Sequence, residues 1–267
     1  MSAAPRALIT RPEPEAGHWV QALAARGIAS AALPLIEIAP ASDPQALAAA
    51  HSRLGDFAAI MVVSGNAARY FFESNRALAL MQQALPAIKT RVWAPGPGTA
   101  GMLVALGVPL ERIDQPFPHA RQFDSESLWE RVGPSVKPGD RVLIVRGSEG
   151  GGDATGSGRD WLSAQIRASG GEVDFVVAYT RAAPQFTEAS LALARSGTVA
   201  GGPLWVLSSA QALGHLCAAL PDQHWGAARA LATHPRIADA ARAAGFGEVF
   251  ECRPALEDVT ASIECRT

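Results

Sequence analysis

The order of three local units along the chain constrains its fold more than any other feature. The first unit opens with RALITRPEPEAGH at Arg6 and returns as RVLIVRGSEGGGD at Arg141. Each copy has an apolar run, an Arg (Arg11 or Arg146) and a turn-forming residue, then an amphipathic helix, a Gly stop (Gly27 or Gly170) and another apolar run. The second unit, AAIMVVSGNAARYF at 58–71, is matched by GPLWVLSSAQALGHL at 202–216. The third, RVWAPGPGTAGMLVALGV at 91–108, is matched by RALATHPRIADAARAAGF at 229–246. A chain that reads a, b, c and then a, b, c again is a duplication. Strands alternating with helices predict two similar α/β domains built on parallel sheets.

The repeat does not by itself say where the domains divide. A cut near Pro134–Lys137 gives two contiguous halves. The stretches PLIEIAP (34–40) and VVAYTRAAP (176–184) occupy equivalent places and both end in Pro, so they also read as extended segments crossing between domains.

Composition narrows the function. With 48% hydrophobic and 18% charged residues, the chain has ample core material and no signature of disorder. A net charge of −2 argues against a nucleic-acid partner. Lysine occurs only at 89 and 137 and the other basic residues are Arg, which binds carboxylates bidentately, although compositional bias gives the same count. Three cysteines without a CxxC argue against a disulfide framework or a zinc site and fit a reducing cytosol. The N-terminus lacks the apolar core of a signal peptide, and no stretch is long and apolar enough for a membrane span. A cytoplasmic location with no membrane partner is expected.

Several turns carry polar groups at the ends of expected strands. APGPGTAG contains a literal GxGxxG in Gly96, Gly98 and Gly101, but Pro95 and Pro97 interrupt it and the matching turn reads THPRIA. A dinucleotide is therefore disfavoured. Free backbone N–H groups at such a helix start bind any anion, a carboxylate included. GSEGGGDATGSG (147–158) lacks the GK[ST] ending of a phosphate loop and reads as a surface loop, which leaves Arg146 before it, and Arg11 in the matching place, as better anion contacts. Ser64 and Asn66 in SGNA, and Ser208 and Ser209 in SSAQA, stand at strand-to-helix turns. The serines serve as N-caps there while other first-turn N–H groups stay available. His234 stands in a comparable turn, and the other histidines are scattered with no metal-ligand spacing, so no metal is expected. There is no GxSxG elbow and no sign of a catalytic triad. Residues alone give a two-domain α/β protein whose helix N-termini can meet an anionic ligand, without an evident nucleophile.

Taken in order, LITRPEPEAGHWVQALAARGI, VSGNA, APGPGTAG, VLIVRG, WLSAQIRASGGEVDFVVAYTR, WVLSSAQAL and HPRIADAARAAGF cover nearly the whole length. In this order and spacing the chain resembles the uroporphyrinogen-III synthase family, with Tyr179 in AYTR the most telling residue. The resemblance implies two α/β domains joined by a two-stranded connector, one of them discontinuous. That places 1–38 with 182–267 in one domain and 41–178 in the other, with connector strands near 36–40 and 177–181.

The resemblance also implies a cofactor-free cyclisation of the linear tetrapyrrole hydroxymethylbilane in the cleft between domains. Tyr179 corresponds to the family tyrosine proposed as the acid, although a tyrosine on a connector strand also serves by packing alone. Arg11, Ser64, Asn66, Gly96, Thr99, Arg146, Ser208, Ser209 and His234 are the expected substrate-binding positions. The family's C-terminal turn often reads Gly-x-x-Thr-Ala; here it reads His234-Pro235-Arg236-Ile237-Ala238, so the hydroxyl expected at Ile237 is missing, while Thr99 keeps the pattern. A monomer is expected, with the enzyme that supplies the substrate as a candidate partner. A non-catalytic two-lobed protein that binds small anions fits the duplication equally well.

Overall fold

Alternation within the short strands sets the layering. In β1 (Ala7–Ile9) all three residues are fully buried, yet Leu8 joins one hydrophobic cluster while Ala7 and Ile9 join another. The same division runs through β9 (Leu204–Leu207), with Trp205 and Leu207 on one side and Leu204 and Val206 on the other. A strand's side chains point alternately to its two faces, so a strand buried throughout belongs to a sheet covered on both. One cover is α1 (Glu15–Ala24) with α10 (Leu256–Glu264), through Trp19, Leu23, Val259 and Ile263. The other is α7 (Glu188–Ser196), α8 (Ala210–Ala219) and α9 (Pro235–Ala243), through Ala194, Leu213, Leu216 and Ile237. Each fully buried Leu or Ile contributes about 1.5–3 kcal/mol relative to its exposed state.

The computed structural model describes residues 5–73, 90–120, 122–149 and 157–266. The chain divides into two compact units, residues 1–38 with 182–267 and residues 39–181. The first holds a five-stranded parallel sheet in the order β11 (Glu248–Glu251), β10 (Arg229–Ala232), β9, β1, β2 (Ser30–Ala32). The second holds a six-stranded sheet. Its order is β3 (Glu37–Pro40), β8 (Glu172–Ala182), β7 (Arg141–Glu149), β4 (Ala59–Val62), β5 (Arg91–Trp93), β6 (Ile113–Asp114). From β8 to β6 its pairings are parallel.

The two sheets share one plan. Strand β1 lies between β2 and β9, as β7 lies between β8 and β4. The opening unit of each repeat therefore pairs with the second unit of the other repeat. That exchange is why one compact unit is built from both ends of the chain.

One element differs from the sequence reading. The apolar run after Gly27, read as part of the first repeat unit, yields two strands, β2 and β3, and they belong to different sheets. Pro34 separates them, and a residue without an N–H cannot continue a ladder. The crossing segment expected near 177–181 is the distal half of the unbroken eleven-residue strand β8.

Candidate active site

In the second unit the site begins where β4 ends. Ser64, extended at φ −164°, caps α3 (Gly65–Phe72) by accepting from the Ala67 N–H at 3.1 Å. The same Oγ lies 3.1 Å from the hydroxyl of Tyr179, on β8. The pair has two hydroxyl protons, and their mutual bond uses one. If Tyr179 donates, the Ser64 proton is left to offer a ligand; if Ser64 donates, the phenol proton is left. Tyr179 is buried at 4% exposure, and Tyr70 of α3 stacks on it with ring centroids 6.0 Å apart. Asn66 sits half-buried in the first turn of the same helix.

The neighbouring strand ends contribute two more turns. Gly96 caps α4 (Pro97–Ala105), and a Cβ there would come within 2.8 Å of Phe123 Cβ, so a close approach demands glycine. Pro97 brings no N–H, while the N–H groups of Gly98 and Thr99 find no acceptor among the described residues. Thr99 is buried. Arg146, near the end of β7, lays its guanidinium 4.8 Å over the Phe175 ring. Ser64 and Gly96 follow β4 and β5, and Arg146, inside β7, stands one residue past the level at which β4 ends, so the three fall toward one edge of the sheet, the carboxyl edge where ligands of open α/β sheets bind. Of the glycine-rich stretch 147–158, residues 150–156 lie outside the described residues.

The first unit repeats the arrangement with different commitments. Arg11, after β1, donates to Glu15 at 2.7 Å and to the Pro254 carbonyl at 3.2 Å, and stacks 4.0 Å over Trp19. Its charge is therefore engaged by protein partners. Ser208 is half-buried after β9, and Ser209 caps α8 by accepting from Ala212 N–H at 3.3 Å. His234 caps α9: its Nδ1 accepts from the Arg236 N–H at 3.1 Å. A ring nitrogen that accepts carries no proton, so the neutral ring holds its proton on Nε2. Pro235 has no N–H and the Ile237 N–H donates to the His234 carbonyl at 2.9 Å, so the first turn of α9 holds no spare donor. Ile237, where the family pattern has Thr, is 8% exposed and packed in the core.

Two residues that sequence reasoning did not single out touch Tyr179: Tyr70 and Gly147. Gly147, read from the sequence as a turn residue at the start of a loop, lies instead inside β7, which runs on to Glu149, and a glycine inside a strand marks a close approach. Elsewhere in this unit, Arg91, Asp114, Phe117, Arg131, Val132 and Ser135 line a hollow of about 360 Å³. Its polar groups already serve one another: Arg91 grips Asp114 at 2.6 and 2.8 Å, which raises the Arg91 pKa, and Ser135 donates to the Val132 carbonyl. Among the described residues no cluster of three or more His, Cys, Asp or Glu is placed to hold a metal ion. No helix among them is long and apolar enough to cross a membrane.

Comparisons with known proteins bear on the fold and the family. A family model, uroporphyrinogen-III synthase HemD, matches residues 17–261. A uroporphyrinogen-III synthase of Chlorobaculum parvum is 32% identical over 145 residues, which is 53% of this chain and 52% of that protein, so the match spans about half of the relative's length. Among solved structures, a mutant uroporphyrinogen III synthase of the extremely thermophilic bacterium Thermus thermophilus superposes with a TM-score of 0.57 at 17% identity, covering 98% of each chain. A uroporphyrinogen-III synthetase of Helicobacter pylori gives 0.56 at 13% identity, covering 98% of this chain and all of that one (100%). At such identities the structural likeness speaks for the fold, while the family model matches nearly the full length. The chain belongs to the uroporphyrinogen-III synthase family.

Proposed function

We propose that this chain cyclises hydroxymethylbilane, losing water and inverting the last pyrrole ring, as its family implies. The observation that carries the reading is the hydroxyl pair of buried Tyr179 and half-buried Ser64, set at the carboxyl edge of a parallel sheet in a member of that family. Tyr179 donates its proton to the substrate's terminal hydroxyl, which departs as water. The adjacent pyrrole nitrogen feeds its lone pair into the carbon left behind, giving an azafulvenium cation. That cation is attacked by the substituted carbon of the last ring, and the spiro intermediate opens and recloses with the ring inverted. The proton lost from the ring carbon at the end restores the phenol, so the balance is one substrate to one macrocycle and one water.

The protein's task is mainly conformational, because the uncatalysed closure gives the uninverted isomer. Orientation and fixed dipoles supply it. The Gly98 and Thr99 N–H groups, Asn66 and Arg146 in the second unit, with Ser208 and Ser209 in the first, suit the acetate and propionate groups of such a substrate. His234 offers Nε2–H in place of the missing Thr hydroxyl, whereas Arg11 shapes its turn through protein contacts. The reading includes a cytoplasmic monomer, with β3 and the distal half of β8 serving as the connector. Incubation of the purified protein with hydroxymethylbilane and separation of the product isomers tests it. Accelerated formation of the inverted isomer is expected. A mixture no different from spontaneous closure overturns it and favours the non-catalytic anion binder.

A further inference from the structure

We infer that Gly147 is a positioning residue for Tyr179: the absence of a side chain there lets the phenol lie across β7 and place its hydroxyl against Ser64. This deepens the reading of Tyr179 as the acid and rests on it.

The argument starts from register. Strands β7 and β8 pair in step from Arg141 opposite Glu172 to Arg146 opposite Val177. The next pair is Gly147 opposite Tyr179, so Ala178 is passed over and the ladder slips by one residue. Such a bulge re-aims the side chains beyond it. Without the slip, Tyr179 would stand opposite Ser148 and position 147 opposite Ala178. With it, the largest side chain in this part of β8 shares its place on the sheet with the one residue that has none.

The fit is close and directional. A Cβ at position 147 would lie 2.5 Å from Tyr179 Cζ and 2.7 and 2.8 Å from its two Cε atoms. All three belong to the hydroxyl-bearing end of the ring, so that end rests on the Gly147 Cα. Backbone conformation does not explain the glycine, since Gly147 is not among the glycines of positive φ. Glycine is locally unfavourable inside a strand, so what calls for it here is the close approach of the ring. Moving a Cβ contact from 2.5 Å to ordinary van der Waals range displaces the phenol end by about 1 Å, an error that costs on the order of 10²-fold when it falls on a reacting group. The hydroxyl sits 3.1 Å from Ser64 and lacks that much slack.

The test is a double-mutant cycle on the full chain with Gly147→Ala and Tyr179→Phe. The Phe ring keeps the Cζ and Cε atoms, so the added methyl collides equally in both backgrounds and any general loss of stability is shared. Only the hydroxyl's alignment differs. Gly147→Ala alone should lower kcat about 10²-fold with little change in KM. Added to Tyr179→Phe it should cost less than about twofold more. An equal loss in both backgrounds would make Gly147 merely structural and overturn the proposal.

A second readout is independent of turnover. The chain has two tyrosines, so the ¹³Cζ resonance of Tyr179 is assignable with Tyr70→Phe, and it reports the phenol's hydrogen bond. Gly147→Ala should shift that resonance, and an unmoved signal refutes the positioning role. If Tyr179→Phe keeps full activity while the resonance still shifts, the acid reading fails and the positioning stands. Should Gly147→Ala not accumulate as folded protein, Gly147→Ala with Tyr179→Ala removes the colliding ring and should fold as well as Tyr179→Ala alone; failure to do so also counts against the proposal.

Discussion

The hydroxyl oxygens of Tyr179 and Ser64 lie 3.1 Å apart across 115 residues of sequence. The contact joins a helix cap to a buried phenol. Tyr179→Phe removes the hydroxyl and keeps the ring, so the fold should survive. On the proposed mechanism turnover should fall about 10²-fold, the low end for losing a general acid, because the departing hydroxyl would leave a stabilised cation and water can supply the proton. The residual product should remain the inverted isomer. Single-turnover product analysis checks both points. A complete switch to the uninverted isomer would make Tyr179 the determinant of ring inversion, and an unchanged rate would leave its hydroxyl no catalytic part.

Ser64→Ala removes two things at once, the acceptor for the Ala67 N–H and the partner of Tyr179. Losing an N-cap of this kind costs about 1 kcal/mol. Thermal unfolding should therefore show a modest drop, and turnover should fall further than stability does. Ser64→Thr, which keeps a capping hydroxyl, should restore the melting temperature. Equal melting temperatures for wild type and Ser64→Ala would contradict the capping role.

Elements were legible where a strand is a short apolar run, as β1, β4 and β9 are, and where a serine caps a helix, as Ser64 and Ser209 do, or a glycine of positive φ follows one, as Gly27, Gly107, Gly170 and Gly245 do. The partition of the chain was not. A sequence that reads a, b, c twice fits two contiguous halves as well as an exchange. What decides between them is that β1 pairs with β9 and β7 with β4, contacts between residues far apart with no local signature. The turns that carry the candidate residues were legible to the same depth. Ser64 and Gly96 stand at strand-to-helix turns, where the pattern puts polar ligands and caps. The use of Arg11 could not be read, because its partners Trp19 and Pro254 come from a helix face and a remote turn. Gly147 was hidden because its meaning depends on a one-residue slip at Ala178.

The three cysteines should react in order of exposure and thiol acidity. Burial, with Asp258 adding to it, pushes the Cys252 thiol up to about 11, and burial also raises Cys217, whereas Cys265 is exposed. The thiolate is the reactive form. At about pH 8, near the ordinary thiol pKa, a disulfide reagent should modify Cys265 first and Cys252 slowly, with Cys252 accelerating only as the pH approaches about 11. Mass spectrometry of partly labelled protein reads the order. Rapid labelling of Cys252 at neutral pH would show that its surroundings open.

Ile237 stands where the family pattern carries a threonine, and its surroundings argue against any return to that residue. It is 8% exposed, packed in the core with Leu213 and Leu216 in the same cluster, and its N–H is already bonded to the His234 carbonyl. A threonine here would replace apolar side-chain atoms with a hydroxyl in an apolar setting. Losing the methyl groups costs about 1 kcal/mol, and burying a poorly paired hydroxyl adds about 1–3 kcal/mol. Ile237→Thr should therefore lower the midpoint of denaturant unfolding without raising turnover. His234→Ala, by contrast, removes the cap on the Arg236 N–H and the Nε2–H donor together. It should cost about 1 kcal/mol of stability and raise KM for the proposed polycarboxylate substrate. His234→Asn keeps a capping oxygen, so it should recover the stability while KM stays raised. Steady-state kinetics beside unfolding curves for the three variants separate these effects. A rise in turnover for Ile237→Thr would mean that its side chain reaches the substrate, and that the core placement does not hold during catalysis.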